Sequence, residues 1–543
     1  MKQTAETAID TKLEPTEAKM THEEDPEKPT GTEGPLISAF AGLSRAQTMR
    51  KFWRLFLAGL APTLGGMYVG YGGSVIGSIV ANRGFINQFA TLVDPVTGAR
   101  VLDANHIGTW AAVTMASQIV IQFISPFTAD RWGRKFNMYA LTVFFTVSII
   151  LTIVAKEWIL LTVSRVFQGF ASGLLSTSIM VYMSEVSMPQ FRGALLGSFS
   201  FFFGLGQLFL AIGLKVLQDT NPMAFRNIFY SEFVFLGLWI GPLILLPETP
   251  TWYARNGQHE RAKKSLAKLV GKVEGYDLDH EYRVLLQEIE ESAAANQKVG
   301  QVSWRALLTR VNMKRTLIAA MPYTFQNFVG VPLIFGNTTY FFSLANVTDP
   351  FLGKLIINII LLAGILSSFY WVDKIGRRFL VIAGGGIMGC CTLAIGGLAF
   401  REPDATGGIV LVFFCALWAF IYANSLAPIG WVSLVEVSTP ELRAKSTAVA
   451  AIIQSCSGVL FSYTVPLMLS KQGAGWGQKI GFFFAGVTFL FLLPVIIWFP
   501  ETKGRTYLEL DELFERRVPA WRFASTVTSY QAGAERQAQG QAS

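Results

Sequence analysis

Charge is scarce in this chain. Only 15% of its 543 residues are Asp, Glu, Lys or Arg, against about 25% in an average soluble domain. That scarcity, with 51% hydrophobic and 13% aromatic residues, excludes an ordinary water-soluble domain. The four histidines (His22, His106, His259, His280) are scattered, so no metal site is expected. The four cysteines (Cys390, Cys391, Cys415, Cys456) all fall inside apolar runs, where they read as small buried hydrophobes and not as disulfides or ligands. No nucleophile–base pair, phosphate loop or metal cluster is legible, so neither an enzyme nor a cofactor is expected. The net charge of +8 does not point to nucleic acid, because the cations flank apolar runs.

Apolar runs are what the chain has in abundance. Twelve of them lie near 54–80, 107–127, 136–155, 158–182, 194–216, 229–246, 316–342, 350–371, 379–400, 408–434, 446–469 and 479–499. Each is about as long as the helix of some 20 residues that crosses a hydrocarbon core, and helix is the open-chain form that satisfies every backbone group in lipid. The expected fold is therefore an all-α polytopic membrane protein. An even number of spans puts both termini on one side. The Lys/Arg clusters after spans 2, 4, 8 and 10 fall on that same side, which is then the cytosol.

Five segments follow. Residues 1–50 are expected to be a disordered cytosolic segment, rich in Thr, Glu, Lys and Pro over the first 36 or so and too poor in aliphatic residues to fold; it does not read as a signal peptide. Residues 51–247 hold six spans, 248–315 a cytosolic helical linker, 316–514 six more spans, and 515–543 a cytosolic tail. In the linker, Tyr282, Leu285, Leu286 and Ile289 fall at helical spacing and form one apolar stripe.

Three charged clusters occur twice and in the same order. "DRWGRK" (Asp130 to Lys135) recurs as "DKIGRR" (Asp373 to Arg378). "SEVSMPQFRG" (Ser184 to Gly193) recurs as "VEVSTPELRA" (Val435 to Ala444), and "PETPTW" (Pro247 to Trp252) as "PETKGR" (Pro500 to Arg505). Two like halves related by an axis along the membrane normal suit a transporter that rocks about a central site. Asp130, Arg134, Arg165, Glu185 and Arg192 in the first half, with Asp373, Arg377, Glu436 and Arg443 in the second, are the expected network. Arginine forks suit bidentate pairing with carboxylates, and several partly exposed pairs across the seam bias a two-state equilibrium without freezing it.

These clusters, together with "SRVFQGFASG" (Ser164 to Gly173) and "LELDELF" (Leu508 to Phe514), make the chain resemble the sugar porter family of the major facilitator superfamily over about residues 50 to 515. "GQLFLAIGLKVL", "PETPTWYARNGQHERAKKSLAKL" and "GNTTYFF" most resemble fungal α-glucoside (maltose-type) permeases. The resemblance implies twelve transmembrane helices in two six-helix halves, a fungal plasma membrane, a sugar substrate and proton coupling. It also implies a sugar site at Gln207 in "GLGQL", Gln326 and Asn327 in span 7, Trp431 in "APIGW", and Gln454 in span 11. Those types suit the task, since amides both donate to and accept from hydroxyls and an apolar sugar face stacks on a ring.

The chain departs from the family pattern at Gly72, Ser200, Pro332 and Gly458. Gly72 stands where symporters carry an Asp, which leaves Arg165 without its usual partner. Arg165 then reaches the headgroups or pairs with Glu185. No carboxylate is legible in the middle of a span, and Glu232 reads as lying at the outer end of span 6. Facilitated diffusion or weak proton coupling is the expectation that follows. The other three departures leave fewer amides than a hexose site, so a same-fold exporter of a secondary metabolite stands as the alternative, and a non-transporting sensor as a third reading. "SLANVTDP" (Ser343 to Pro350) is expected outside, with Asn346 a formal but poor glycosylation acceptor.

Overall fold

The computed structural model describes residues 38–40, 43–93, 98–301, 309–402, 404–438, 443–503, 505 and 507–529. Helices dominate the described residues, and one short hairpin, Leu92–Val93 with Arg100–Val101, is antiparallel. Span 1 is Trp53–Leu60 followed by Thr63–Ile79. Spans 2 to 6 are Ala104–Trp132, Arg134–Val154, Trp158–Val186 with a π-helical turn at Leu175–Ile179, Pro189–Thr220 and Arg226–Leu245. Spans 8 to 12 are Pro350–Ile375, Arg377–Gly397, Ala405–Asn424 with Leu426–Glu436, Arg443–Leu469 and Ile480–Trp498.

Among the described residues, ten helices are long and apolar enough to cross a membrane, and eleven when the first span and the bent helix after it (75° between them) count as one. The remaining span of the twelve is the seventh. It is broken into Arg310–Phe328, a π-helical turn at Pro332–Gly336, and Thr338–Leu344. Pro332 starts that turn, where its missing N–H costs nothing, and Gly330 just before it has φ +106°.

The bundle wears its apolar side outward. Phe127, Leu245, Phe400, Ile409 and Leu490 are among the most exposed side chains, as a lipid-facing surface requires. Inside, small residues bring helices together. A Cβ on Gly206 would run into the Met67 carbonyl of span 1, and one on Gly70 into the Phe203 carbonyl of span 5. Between spans 6 and 7, helices Pro250–Arg255, His259–Val270 and Leu278–Gln301 follow one another. The stripe Tyr282, Leu285, Leu286 and Ile289 packs on Ala254 and Ala262.

The duplicated clusters become one duplicated device. Span 2 meets span 3 at Gly133 (φ +99°, ψ 164°), and span 8 meets span 9 at Gly376 (φ +112°, ψ 153°). This backbone region is open in practice to glycine alone. Each glycine ends one helix and starts the next, so the next helix presents unpaired N–H groups. A carboxylate takes them. Lys135 N donates to Glu248 Oε2 at 2.9 Å, while Arg377 N and Arg378 N donate to Glu501 at 2.9 and 3.0 Å. A Cβ on Gly133 would run into Glu248, and one on Gly376 would lie 2.8 Å from Glu501 Oε2. Each "PET" thus folds back onto its own "GR".

Gly133→Ala and Gly376→Ala should each cost about 1–3 kcal/mol from the backbone alone, and more once the carboxylate is displaced. Thermal unfolding of the detergent-solubilised protein checks this. Both variants should melt below wild type, whereas Gly237→Ala, where a Cβ would have open space, should not.

Candidate functional site

Charged residues gather at one end of the bundle, the charged face. There Arg134 donates from Nε and Nη2 to Glu185 Oε1 at 3.1 and 2.9 Å, and from Nη1 to Asp130 Oδ1 at 3.3 Å. Thr249 donates its hydroxyl to Glu185 Oε2 at 2.6 Å. The second half repeats this. Arg377 Nη2 reaches Glu436 Oε1 at 3.4 Å, and the Thr502 hydroxyl reaches Glu436 Oε2 at 2.5 Å. Burial pushes the Glu248 carboxyl above its ordinary range, and backbone N–H groups of Thr249 and Lys135 pull it part of the way back. Arg192 bonds Ser187 instead of a carboxylate. The side chains of Asp373 and Arg443 lie outside the described residues.

All of these pairs lie within one half. Among the described residues, most polar contacts between the halves sit at the opposite end, the far face. Gln472 donates to Leu102 O at 3.2 Å and accepts from Ala104 N at 3.0 Å. Lys215 pairs with Asp349 at 2.8 Å. The Thr339 hydroxyl donates to Gly77 O and Ser78 O at 3.1 and 2.8 Å. The far face is thus closed by contacts between the halves, while the described side chains of the charged clusters pair within their own halves.

Arg165 corrects the sequence reading. It reaches neither headgroups nor Glu185, but is 5% exposed, donating to Gln168, Thr152 and Ser164. Gln168 in turn donates to Gly72 O at 2.7 Å. Glu232 corrects a second reading. It is 6% exposed, and a Cβ on Gly72 would lie 2.7 Å from its Oε2. The carboxylate missing from span 1 is thus replaced, in nearly the same space, by one from span 6. No spacing rule in the sequence joins Glu232 to Gly72; the buried charge itself was the available signal.

The expected sugar residues fall at four places. Gln326 donates to Leu426 O at 3.1 Å, where span 10 breaks, and accepts from the Tyr422 hydroxyl at 2.9 Å. Asn327 donates to Gln454 O and to Ser457 Oγ, both at 2.8 Å. Gln207 donates to Ser74 at 3.0 Å, and its carbonyl accepts from Asn358 at 3.0 Å. The structure therefore joins Asn327 to the backbone of Gln454 and ties Gln207 into the seam between spans 5 and 8. Trp431 is 49% exposed, with its ring 4.7 Å from that of Tyr323. Tyr323 lies one turn before Asn327. The sequence reading passed over Ser74, Tyr323, Asn358, Tyr422 and Ser457. Asn358, a polar residue within an apolar run, carried the clearest signal.

A family model described as "Sugar (and other) transporter" matches residues 58–514. The chain belongs to this sugar transporter family. It is 28% identical over 461 residues to "MFS transporter fmqE" of Aspergillus fumigatus, covering 83% of this chain and 84% of the relative. It is 27% identical over 472 residues to "General alpha-glucoside permease" of Saccharomyces cerevisiae, covering 84% and 75%. Among solved structures, the partially occluded inward open xylose transporter XylE from E. coli aligns at a TM-score of 0.69 with 22% identity, over 84% of this chain and 100% of that one. The twelve-helix major facilitator fold follows, and with it a sugar transporter of the membrane rather than an enzyme.

The two copies of the charged device in this transporter are not equally tight. Arg134 and Glu185 are 4% and 11% exposed, Arg377 and Glu436 15% and 25%. Glu185→Ala should therefore cost about 3–5 kcal/mol, the range for breaking a buried pair, and Glu436→Ala clearly less. Melting temperatures of the two variants in one detergent check the order.

Proposed function

We propose that this transporter moves a sugar, an α-glucoside of the maltose type, across the fungal plasma membrane by alternating access, with the charged face and both termini cytosolic. The observation that carries the reading is the set of neutral amides, hydroxyls and rings that spans 7, 10 and 11 present around Gln326 and Asn327, with a further amide pair where spans 5 and 8 meet at Gln207 and Asn358. Such groups pair with hydroxyls and demand no counter-charge. Gly458 stands beside Asn327, and a Cβ there would still be 3.6 Å from Asn327 Nδ2. The amide that the family pattern has at this position is thus exchanged for space, which favours a ligand larger than a hexose. The likeness to an α-glucoside permease supports the same choice.

Transport is coupled to protons in this reading. The expectation of uncoupled transport rested on there being no buried carboxylate, and Glu232 removes that ground. Its carboxyl shares with Arg165 and Gln168 the pocket around Gly72, and a carboxyl buried in a span is the usual proton carrier of such pumps. The second reading, a ligand other than a sugar, is favoured by one observation: both polar ends of the Gln326 amide are already engaged within the protein.

Uptake of labelled maltose and glucose by a transport-null yeast tests the substrate. Asn327→Ala should raise the apparent KM for maltose about tenfold, since a buried polar group left unpaired costs about 1–3 kcal/mol, and Trp431→Ala should raise it through lost stacking on the sugar face. Absence of maltose uptake by the wild-type protein would refute the sugar assignment. For coupling, Glu232→Gln should abolish accumulation above the external concentration while equilibrium exchange persists. A variant that still accumulates substrate would remove Glu232 from that role.

A further inference from the structure

Lys354 lies four residues into span 8 and is 2% exposed. No carboxylate pairs with it among the described residues; the nearby Asp349 is taken by Lys215. A buried ammonium without a counter-charge is costly, so something must hold it. Its Nζ donates to Phe335 O at 3.1 Å and to Thr338 Oγ1 at 3.2 Å. Those two residues flank the break in span 7, between the π-helical turn Pro332–Gly336 and the helix Thr338–Leu344. Asn337, at the break itself, has φ −129° and ψ 26° and donates its side-chain amide to Pro332 O at 2.9 Å. Broken helices in membrane carriers present such carbonyl ends to cations. Here the cation is on the chain.

The same break seals the far face. Thr339, next to Thr338, donates to Gly77 O and Ser78 O of span 1. Gly336 O lies directly against Gly77, where a Cβ would run into it. The piece of span 7 that Lys354 grips is thus the piece that closes on the other half.

We propose that Lys354 is a tethered cation that fixes the broken segment of span 7 in the shape that closes on span 1, a positioning residue for the far-face gate. Without the ammonium, the carbonyl and hydroxyl facing each other at the break lose the donor that holds them together. The helix Thr338–Leu344 then loosens, and the contact of Thr339 with span 1 with it. The inference rests on the alternating-access reading but on no particular substrate, so its test uses none.

Hydrogen exchange of the detergent-solubilised full chain reads the gate. Lys354→Ala should raise exchange in Thr338–Leu344 at least tenfold while Arg134–Val154 stays as in wild type. Propylammonium is the part of the side chain that this variant lacks, and it should restore protection at millimolar concentration. Propanol, of like size and uncharged, should not. Unchanged exchange in Lys354→Ala would overturn the proposal, as would equal restoration by propanol, which would make Lys354 a space filler. If Lys354→Ala does not fold, Lys354→Met removes the charged donor and keeps most of the side chain's length and shape. It should raise exchange in the same segment severalfold, and wild-type protection there would overturn the proposal.

Discussion

Each half of this transporter depends on one interaction, a carboxylate folded back onto the first N–H groups of a helix that starts at a glycine in a backbone conformation costly to any other residue. Glu248 does this for Lys135 and Glu501 for Arg377 and Arg378. A helix N-terminus favours negative charge, and the glycine lets two spans turn without a loop between them. The neighbouring Thr then hands a hydroxyl to Glu185 or Glu436, which holds Arg134 or Arg377. Four side chains so join the turn between two spans, the end of another span and the segment after the last span of the half. Each half is thus stapled to itself at its charged end.

What remains between the halves is weaker and of a different kind. Among the described residues, at the far face it is a few hydrogen bonds, one ion pair and a glycine-to-glycine approach. At mid-depth it is amide and hydroxyl contact, such as Asn358 with the Gln207 carbonyl. Contacts of this sort exchange partners at low cost, which a two-state carrier needs. The strong, buried, hydrogen-bonded charges are spent inside the halves, and the seam is left to groups that are easily re-paired.

The architecture was legible in the sequence because it rests on local pattern. Apolar length marked the spans, and the repeated "GR", "E…R" and "PET" clusters marked the two halves. Their pairing was legible only in part. The clusters were expected to meet across the seam, whereas in this conformation Arg134 and Arg377 hold carboxylates of their own halves. Depth was harder to read. Glu232 was assigned to the outer end of its span, yet it lies against Gly72, because which turns of two helices share a level depends on tilt and close packing that no one-dimensional pattern records. Arg165 was misplaced for the same reason. Lys354 stood in plain view inside an apolar run, but its role depends on the break in span 7, and that break was read as continuous helix.

The central claim is that the halves are rigid and the seam moves. Spin labels test it most directly, with one pair within a half at Arg131 and Arg255 and one pair between halves at Arg131 and Lys374. On adding saturating maltose, the distance distribution between 131 and 374 should shift, and that between 131 and 255 should stay unchanged. A shift at 131 and 255 as large as that at 131 and 374 would contradict the account.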